Sequence, residues 1–328
     1  MPKKFPTFDE CYKAIPEVKK PINFDKLWEE EIIKIKKKPL EPVSKLKLRK
    51  SLTKTSNYEI QFKGHLDNII NGYLIIPRKL TKVPAVISVH DYWQEFNNLE
   101  EINQILINNG IAHLHIYLHK EEILQEHLKN VSSFDKSKKI EFLYPPYFLD
   151  TFKQPFNYDY GVFLVLDLLR SIDFIRLNNS IRHDRIGILG RGLGANLAVF
   201  AAAFRPESVK ALALERIAPV WFENFVKLSS SQLAKEYQKI VLLKKSQNKS
   251  QNLYEFLNEP LFIADKIQIP TIMSVGLEDP EHPAYTAFSF FNLLNCDKSM
   301  QIFTDENQDP NHKKERETSL QFLIENLK

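Results

Sequence analysis

The sequence predicts an α/β protein built on a mostly parallel, doubly wound sheet, and three observations carry that prediction. First, residues 84–89 and 186–189 are short, nearly continuous apolar runs, the pattern of strands buried on both faces rather than one. Second, these runs alternate with helical patterns, above all at 160–177, where Val162, Phe163, Val165, Leu166, Leu169, Ile172 and Ile175 recur at helical spacing. Third, Arg185-Ile-Gly-Ile-Leu-Gly190-Arg191-Gly192-Leu193-Gly194 runs from an apolar strand through a glycine-rich turn into a small-residue helix, Ala195 to Ala203. A chain with only 9 glycines places four of them there, so the backbone at that turn has an unusual requirement.

Taken in order, residues 15–45 hold Pro16, Pro21, Pro39 and Pro42 around one amphipathic helix from about Phe24 to Lys37. Its Trp28, Ile32, Ile33 and Ile35 are expected to cover a sheet edge or a neighbouring subunit. Segments 57–63 and 68–77 read as β-strands and 84–89 as a buried parallel strand. Glu100 to Asn109 reads as a helix closed by Gly110, and Ile111 to Leu118 as the next strand. Residues 119–158 are irregular and aromatic-rich, the mark of a long surface excursion. A strand begins at about Leu212 to Leu214, and 221–262 alternates helical patterns with the polar patch Ser246 to Asn252, which suits a lid-like helical insertion over the C-terminal edge of the sheet. Strands at 271–275 and 299–303 and a helix from about Lys314 complete the pattern. The expected organisation is a helical extension over 1–48 and one α/β domain over 49–328, with 221–262 inserted.

Composition sets outer limits. The 328 residues are 43% hydrophobic and 12% aromatic, enough for a large core. A net charge of +4 with both signs well mixed argues against a nucleic-acid partner. Cys11 and Cys296 define neither a disulfide framework nor a thiolate metal site. No apolar stretch reaches membrane-spanning length and Met1-Pro-Lys-Lys-Phe-Pro is not an export signal, so the expectation is a cytoplasmic protein without a membrane partner.

The strand–turn–helix at 186–203 has the outline of the nucleophile elbow Gly-x-Ser-x-Gly of α/β-hydrolases, with Gly192 at the nucleophile's position. The resemblance extends over most of the chain and is to the cephalosporin C deacetylase and acetyl xylan esterase family. It rests on Phe24-Asp25-Lys-Leu-Trp28-Glu29-Glu30, Ile60-Gln-Phe-Lys-Gly64, Gly72-Tyr-Leu-Ile-Ile-Pro77, Val83 to Tyr92, the elbow, and Pro270 to Asp279, all in the family's order. It implies an α/β-hydrolase fold, a tendency to homo-oligomers, no cofactor, and a serine–histidine–acid site with an oxyanion hole. Carried over residue by residue, Asp279 stands at the triad acid, Tyr92 at the oxyanion tyrosine, and the N–H of Leu193 follows the absent nucleophile. A gap-free match from Gln301-Ile-Phe303 to Gln321-Phe-Leu323 puts Gln308 at the triad histidine; a local shift would instead bring in His312. Where the family has an Arg-Gly-x-Gly loop, this chain has Leu118-His119-Lys-Glu-Glu, which implies a remodelled pocket.

Other chemistries compete for the same residues. His113 and His115 share one strand face and His90 and His119 lie near strand C-terminal ends, so with Asp91, Asp279 or His282 they are conceivable metal ligands, the alternative being satisfied polar groups on half-buried strands. The glycine turn lacks the Lys-Ser/Thr of a phosphate loop and the spacing of a dinucleotide fingerprint. Loss of both serine and histidine predicts a catalytically silent relative that binds a small carbonyl or carboxylate ligand, or a partner, through the old pocket or an oligomer face. The alternative is an acetyl esterase or deacetylase working with Asp279 and a displaced base such as His312.

Overall fold

The computed structural model describes residues 5–17, 19–46, 55–65, 69–78, 80–92, 99–117, 160–246, 256–304 and 312–328. Helices α1 (Phe8–Tyr12) and α2 (Phe24–Lys36) precede strands β1 (Val43–Leu46), β2 (Thr55–Lys63), β3 (Ile69–Pro77) and β4 (Val83–Val89). Then follow α3 (Leu99–Asn108), β5 (Ala112–Tyr117), α4 (Tyr160–Ile175), β6 (Ile181–Arg191), α5 (Leu193–Phe204) and β7 (Val209–Glu215). The chain continues through α6 (Phe222–Leu228), α7 (Gln232–Ser246), β8 (Thr271–Gly276), α8 (Ala284–Leu293), β9 (Lys298–Phe303) and α9 (His312–Leu327).

The nine strands form one sheet in the order β1-β2-β3-β5-β4-β6-β7-β8-β9. The pairs from β1 to β5 are antiparallel, and every pair from β5 to β9 is parallel. Parallel neighbours need crossover connections, and the helices that make them cover both faces. On one face Val86, Leu189, Ala211, Ala213 and Ile272 meet Ile102 and Leu106 of α3 and Leu320 and Leu323 of α9. On the other, Ile87, Val89, Ile188 and Leu212 lie in the larger core with α2, α4 and α5. The predicted doubly wound α/β class holds, and the elements fall close to their expected bounds.

The N-terminal segment is fastened to this core. Arg170 of α4, buried beneath it, donates to the carbonyls of Pro39 at 2.7 Å and Lys63 at 3.1 Å and reaches that of Ile35 at 3.5 Å. The indole N–H of Trp28 donates to the carbonyl of Leu257 at 3.0 Å, and its ring lies 5.2 Å from Phe200 and 5.0 Å from Phe204 of α5. Of the two destinations expected for this helix, a sheet edge or a neighbouring subunit, Trp28 itself packs within its own chain, on α5 beside the sheet. The sheet also starts at Val43, inside the segment read as an extension.

The segment 221–262 is anchored at both ends. Asn196 of α5 donates to the carbonyls of Pro219 and Asn258, while the Glu259 carboxylate accepts from the N–H groups of Trp221 and Phe222 at 3.0 and 2.8 Å. Burial pushes Glu259 up to about 7 against those hydrogen bonds. Between α6 and α7, Ser230 N–H and Ser229 Oγ donate to the carbonyls of Pro280 and Glu281 at 2.7 and 2.6 Å, so this segment rests on the loop after β8.

Candidate active site

The elbow is built by the glycines. Gly192 has φ 51° and ψ −116° between β6 and α5, a left-handed φ that an L side chain adopts only under strain. Its N–H donates to the Glu215 carbonyl at 2.9 Å and its carbonyl accepts from Ala195 and Asn196. Gly194 answers a different demand: a Cβ there would overlap the carbonyls of Val89 and His90, so only glycine lets α5 approach β4 this closely.

What fills the space a side chain at 192 would take is the Asp91 carboxylate, with which a Cβ built on Gly192 would collide. Asp91 follows β4 and is 5% exposed. Its Oδ1 accepts from the backbone N–H groups of Tyr92 at 2.7 Å and Leu193 at 2.8 Å, the two donors expected for the oxyanion hole. Its Oδ2 lies 2.8 Å from Nε2 of His282. His282 Nδ1 is 3.2 Å from Oδ2 of Asp279, whose Oδ1 accepts from the N–H groups of Glu281 and His282 at 2.9 and 3.0 Å. The result is a carboxylate–imidazole–carboxylate line, Asp91–His282–Asp279, ending in the oxyanion donors.

Sequence reading brings Gly192, Leu193, Tyr92 and Asp279 to this place. Gln308 lies outside the described residues; His312 opens α9, and its side chain lies outside them too. The imidazole at the site is His282, weighed from sequence only as a metal ligand. The signal for it was local: Asp279-Pro-Glu-His282 puts acid and base three residues apart on one turn closed by Asp279 itself.

Charge decides the protonation of this line. Burial works against the imidazolium, but Asp91 and Asp279 outweigh it and hold His282 up at about 10. Burial likewise opposes the Asp91 carboxylate, yet the His282 charge and the hydrogen bonds from His282, Leu193 and Tyr92 keep Asp91 below the usual range. Asp279 is also held low, burial being overcome by His282 and by Arg216. Arg216 Nη1 donates to Asp279 Oδ2 at 2.5 Å and its Nε to Glu315 at 3.3 Å. Glu315 also accepts from Ser274 Oγ at 2.5 Å and Arg191 at 3.1 Å, while Arg316 forks onto Glu215 at 2.7 and 2.5 Å. These described groups comprise four carboxylates, three guanidiniums and His282; a protonated His282 balances their charge.

His90, His113 and His115 form a polar ladder beside this line. His113 Nδ1 donates to Asn103 Oδ1 at 2.6 Å, Ser88 Oγ bridges His113 Nε2 and His115 Nδ1 at 2.8 Å each, and His90 Nδ1 donates to the Asp91 carbonyl at 2.7 Å. Burial pushes His113 down to about 3 and His115 well below the usual histidine range. His113 and His115, conceivable metal ligands from sequence, are held by Asn103 and Ser88, and no group of three His, Cys, Asp or Glu able to hold a metal ion occurs among the described residues. His119 lies outside them.

A nine-stranded, mostly parallel sheet with a glycine elbow at the end of a central parallel strand, two backbone N–H donors converging beside it, and an acid–imidazole pair after the penultimate strand have the architecture of an α/β-hydrolase. The chain belongs to the acetyl xylan esterase (AXE1) family, whose model matches residues 5–326. Among solved structures it is similar to the acetyl xylan esterase from Paenibacillus sp. R4, with 19% identity and TM-score 0.77 over 96% of this chain and 99% of that one. A similar match, 16% identical with TM-score 0.77, is acetyl xylan esterase 1 from Thermoanaerobacterium sp. JW/SL YS485, covering 99% of this chain and 100% of that one. At TM-score 0.51 and 18% identity it also matches a dienelactone hydrolase from Anabaena variabilis, over 84% of this chain and 100% of that one. At these identities the structures show the shared fold. No described helix is long and apolar enough to cross a membrane.

Proposed function

We propose that this acetyl xylan esterase-like α/β-hydrolase is silent as a serine esterase. One observation carries the reading: the Asp91 carboxylate occupies the nucleophile's space and accepts both oxyanion donors. Acyl transfer needs a hydroxyl there and an empty hole where negative charge develops. Here the hole already holds a permanent anion, so an ester carbonyl finds neither nucleophile nor polarising donors.

The same geometry counts against capture of a carbonyl or carboxylate ligand by the Tyr92 and Leu193 N–H groups, because Asp91 takes both. A ligand of the old pocket would instead meet the paired Asp91 and His282, and a partner would use another face. The test is hydrolysis of p-nitrophenyl acetate by the full chain beside Asp279→Ala. A rate no faster than that of an inert protein is expected. Turnover that disappears with Asp279 would establish the rearranged esterase instead.

A further inference from the structure

Glu259 stands near the C-terminal end of segment 221–262 and grips its beginning. Its Oε1 accepts from the N–H groups of Trp221 at 3.0 Å and Leu261 at 3.3 Å, and its Oε2 accepts from that of Phe222 at 2.8 Å. The buried carboxylate thereby closes the neck of the segment. What it holds is strained: Trp221 has φ 50° and ψ 66°, a left-handed backbone that a bulky residue keeps only where its surroundings impose it. The Trp221 ring, half-buried, stacks on that of Tyr285 at 5.5 Å, and Tyr285 follows closely on His282 in the chain. Between α6 and α7 the segment also rests on the loop that carries His282. We propose that Glu259 is a proton-operated clasp: ionised, it holds Trp221 on Tyr285 and the segment closed at its neck, and protonated, it lets Trp221 relax and loosens the segment beside the Asp91–His282 pair.

Both oxygens are in use, so the charge state decides the grip. A carboxylate accepts at both oxygens, whereas a carboxylic acid turns one of them into a donor. Whichever oxygen takes the proton, the N–H of Trp221 or of Phe222 then faces an O–H, and one side of the clasp fails. No cation steadies the ion. Helix α5 carries no ionisable residue and α8 only Tyr285. On α6, Glu223 and Lys227 bond to each other at 2.6 Å; on α7, Tyr237 packs on Phe222, and Glu236 is paired with Lys239 at 3.3 Å. On the turn after Phe262, Asp265 is exposed and Lys266 reaches Asp25 of α2 at 2.8 Å. Arg216, where the chain leaves β7 for α6, is turned to Asp279 and Glu315. Among the described residues the Glu259 ion is met by backbone N–H groups alone, and burial outweighs them, raising it from 4.5 to about 7. Held above its ordinary value, the group favours the folded chain below 4.5, and that favour is lost as pH rises to about 7. The clasped ion is thus the form the fold retains less readily, as release on protonation requires.

The test labels the full chain with 5-fluorotryptophan and follows its fluorine NMR signals across a pH titration, Trp221→Phe assigning one of the three tryptophans. The Trp221 signal is expected to move in a single step centred at about 7, well separated from the His282 titration at about 10. In Glu259→Gln, which is neutral at every pH and keeps one acceptor oxygen, the signal should stay at the parent's acid position throughout. A Trp221 signal unmoved between about pH 5 and 9, or one that moves equally in Glu259→Gln, overturns the proposal. A second measurement needs no variant: amide hydrogen exchange at Trp221 and Phe222 in the parent chain, divided by the intrinsic rate at each pH. Protection is expected to be at least about tenfold higher above pH 8 than below pH 6. Equal protection on the two sides would mean that the clasp holds whatever its charge, and the proposal would fall.

Discussion

Asp91 and Gly192 act as one linked replacement, because the carboxylate of one fills the volume that a side chain on the other would need. Gly192→Ser alone should therefore fail twice, setting Cβ against Asp91 and forcing a non-glycine residue into φ 51°; a loss of about 2–4 kcal/mol in chemical denaturation and no gain in esterase rate are expected. Asp91→Gly with Gly192→Ser removes the collision and frees both oxyanion donors beside His282. That double variant should raise p-nitrophenyl acetate hydrolysis about tenfold or more over the parent chain, a small part of what a full triad supplies. A rate unchanged in the folded double variant would show that His282 is misplaced for serine chemistry. The residues also show where sequence reading ran out. Gly192, Leu193, Tyr92 and Asp279 could be placed because each sits at a fixed offset from a recognisable strand. Asp91 was visible as a residue, but which way its side chain turns is decided by the vacancy at 192, a contact across 101 positions of chain. His282 was missed because the base was sought after β9, although the loop after β8 carried Asp-x-x-His in plain order.

At the scale of elements, the line Asp91–His282–Asp279 ties the β4 loop to the β8 loop, and its contribution to stability follows from its protonation. His282 is raised from an ordinary 6.5 to about 10. The folded protein therefore holds a proton that the unfolded chain releases near 6.5, and the stabilisation is fully present below that pH and lost as pH rises toward 10. The slope from this one group is at most about 1.4 kcal/mol per pH unit. Asp91 and Asp279 are depressed, so their contribution is present above the ordinary carboxylate range and lost on acidification. Tm of the parent chain should consequently fall between pH 7 and 10, and His282→Gln should be less stable at pH 7 with a flatter alkaline limb. Equal alkaline slopes for the two proteins would mean that His282 is neutral in the folded state. Most elements themselves were legible, since apolar runs such as 186–189 and the helical stripe of 160–175 declare their burial locally. The destination of Trp28 was not, because an apolar residue on a helix face does not say which surface receives it.

Across the whole molecule, the site is continuous with a buried charge cluster that reaches α9 through Glu315, fully buried and accepting from Ser274, Arg191 and Arg216. Arg216 couples this cluster to the site, donating to Glu315 with Nε and to Asp279 with Nη1. Among the described groups the charges balance only with His282 protonated, so a charge removed at one end alters proton affinity at the other. Glu315→Gln keeps the shape and much of the hydrogen bonding but removes a negative charge from between two guanidiniums. It should cost about 3–5 kcal/mol, the scale for breaking a buried ion pair from one side. In the variant that still folds, His282 should also release its proton at lower pH, because the arginines that Glu315 neutralised now act on the imidazolium. Imidazole NMR across a pH titration reads this directly. A lowered His282 midpoint together with lost stability would show that α9, which closes the sheet on the far side of the elbow strand, helps set the charge state of the site. An unchanged midpoint with lost stability would confine Glu315 to fastening α9 to the sheet.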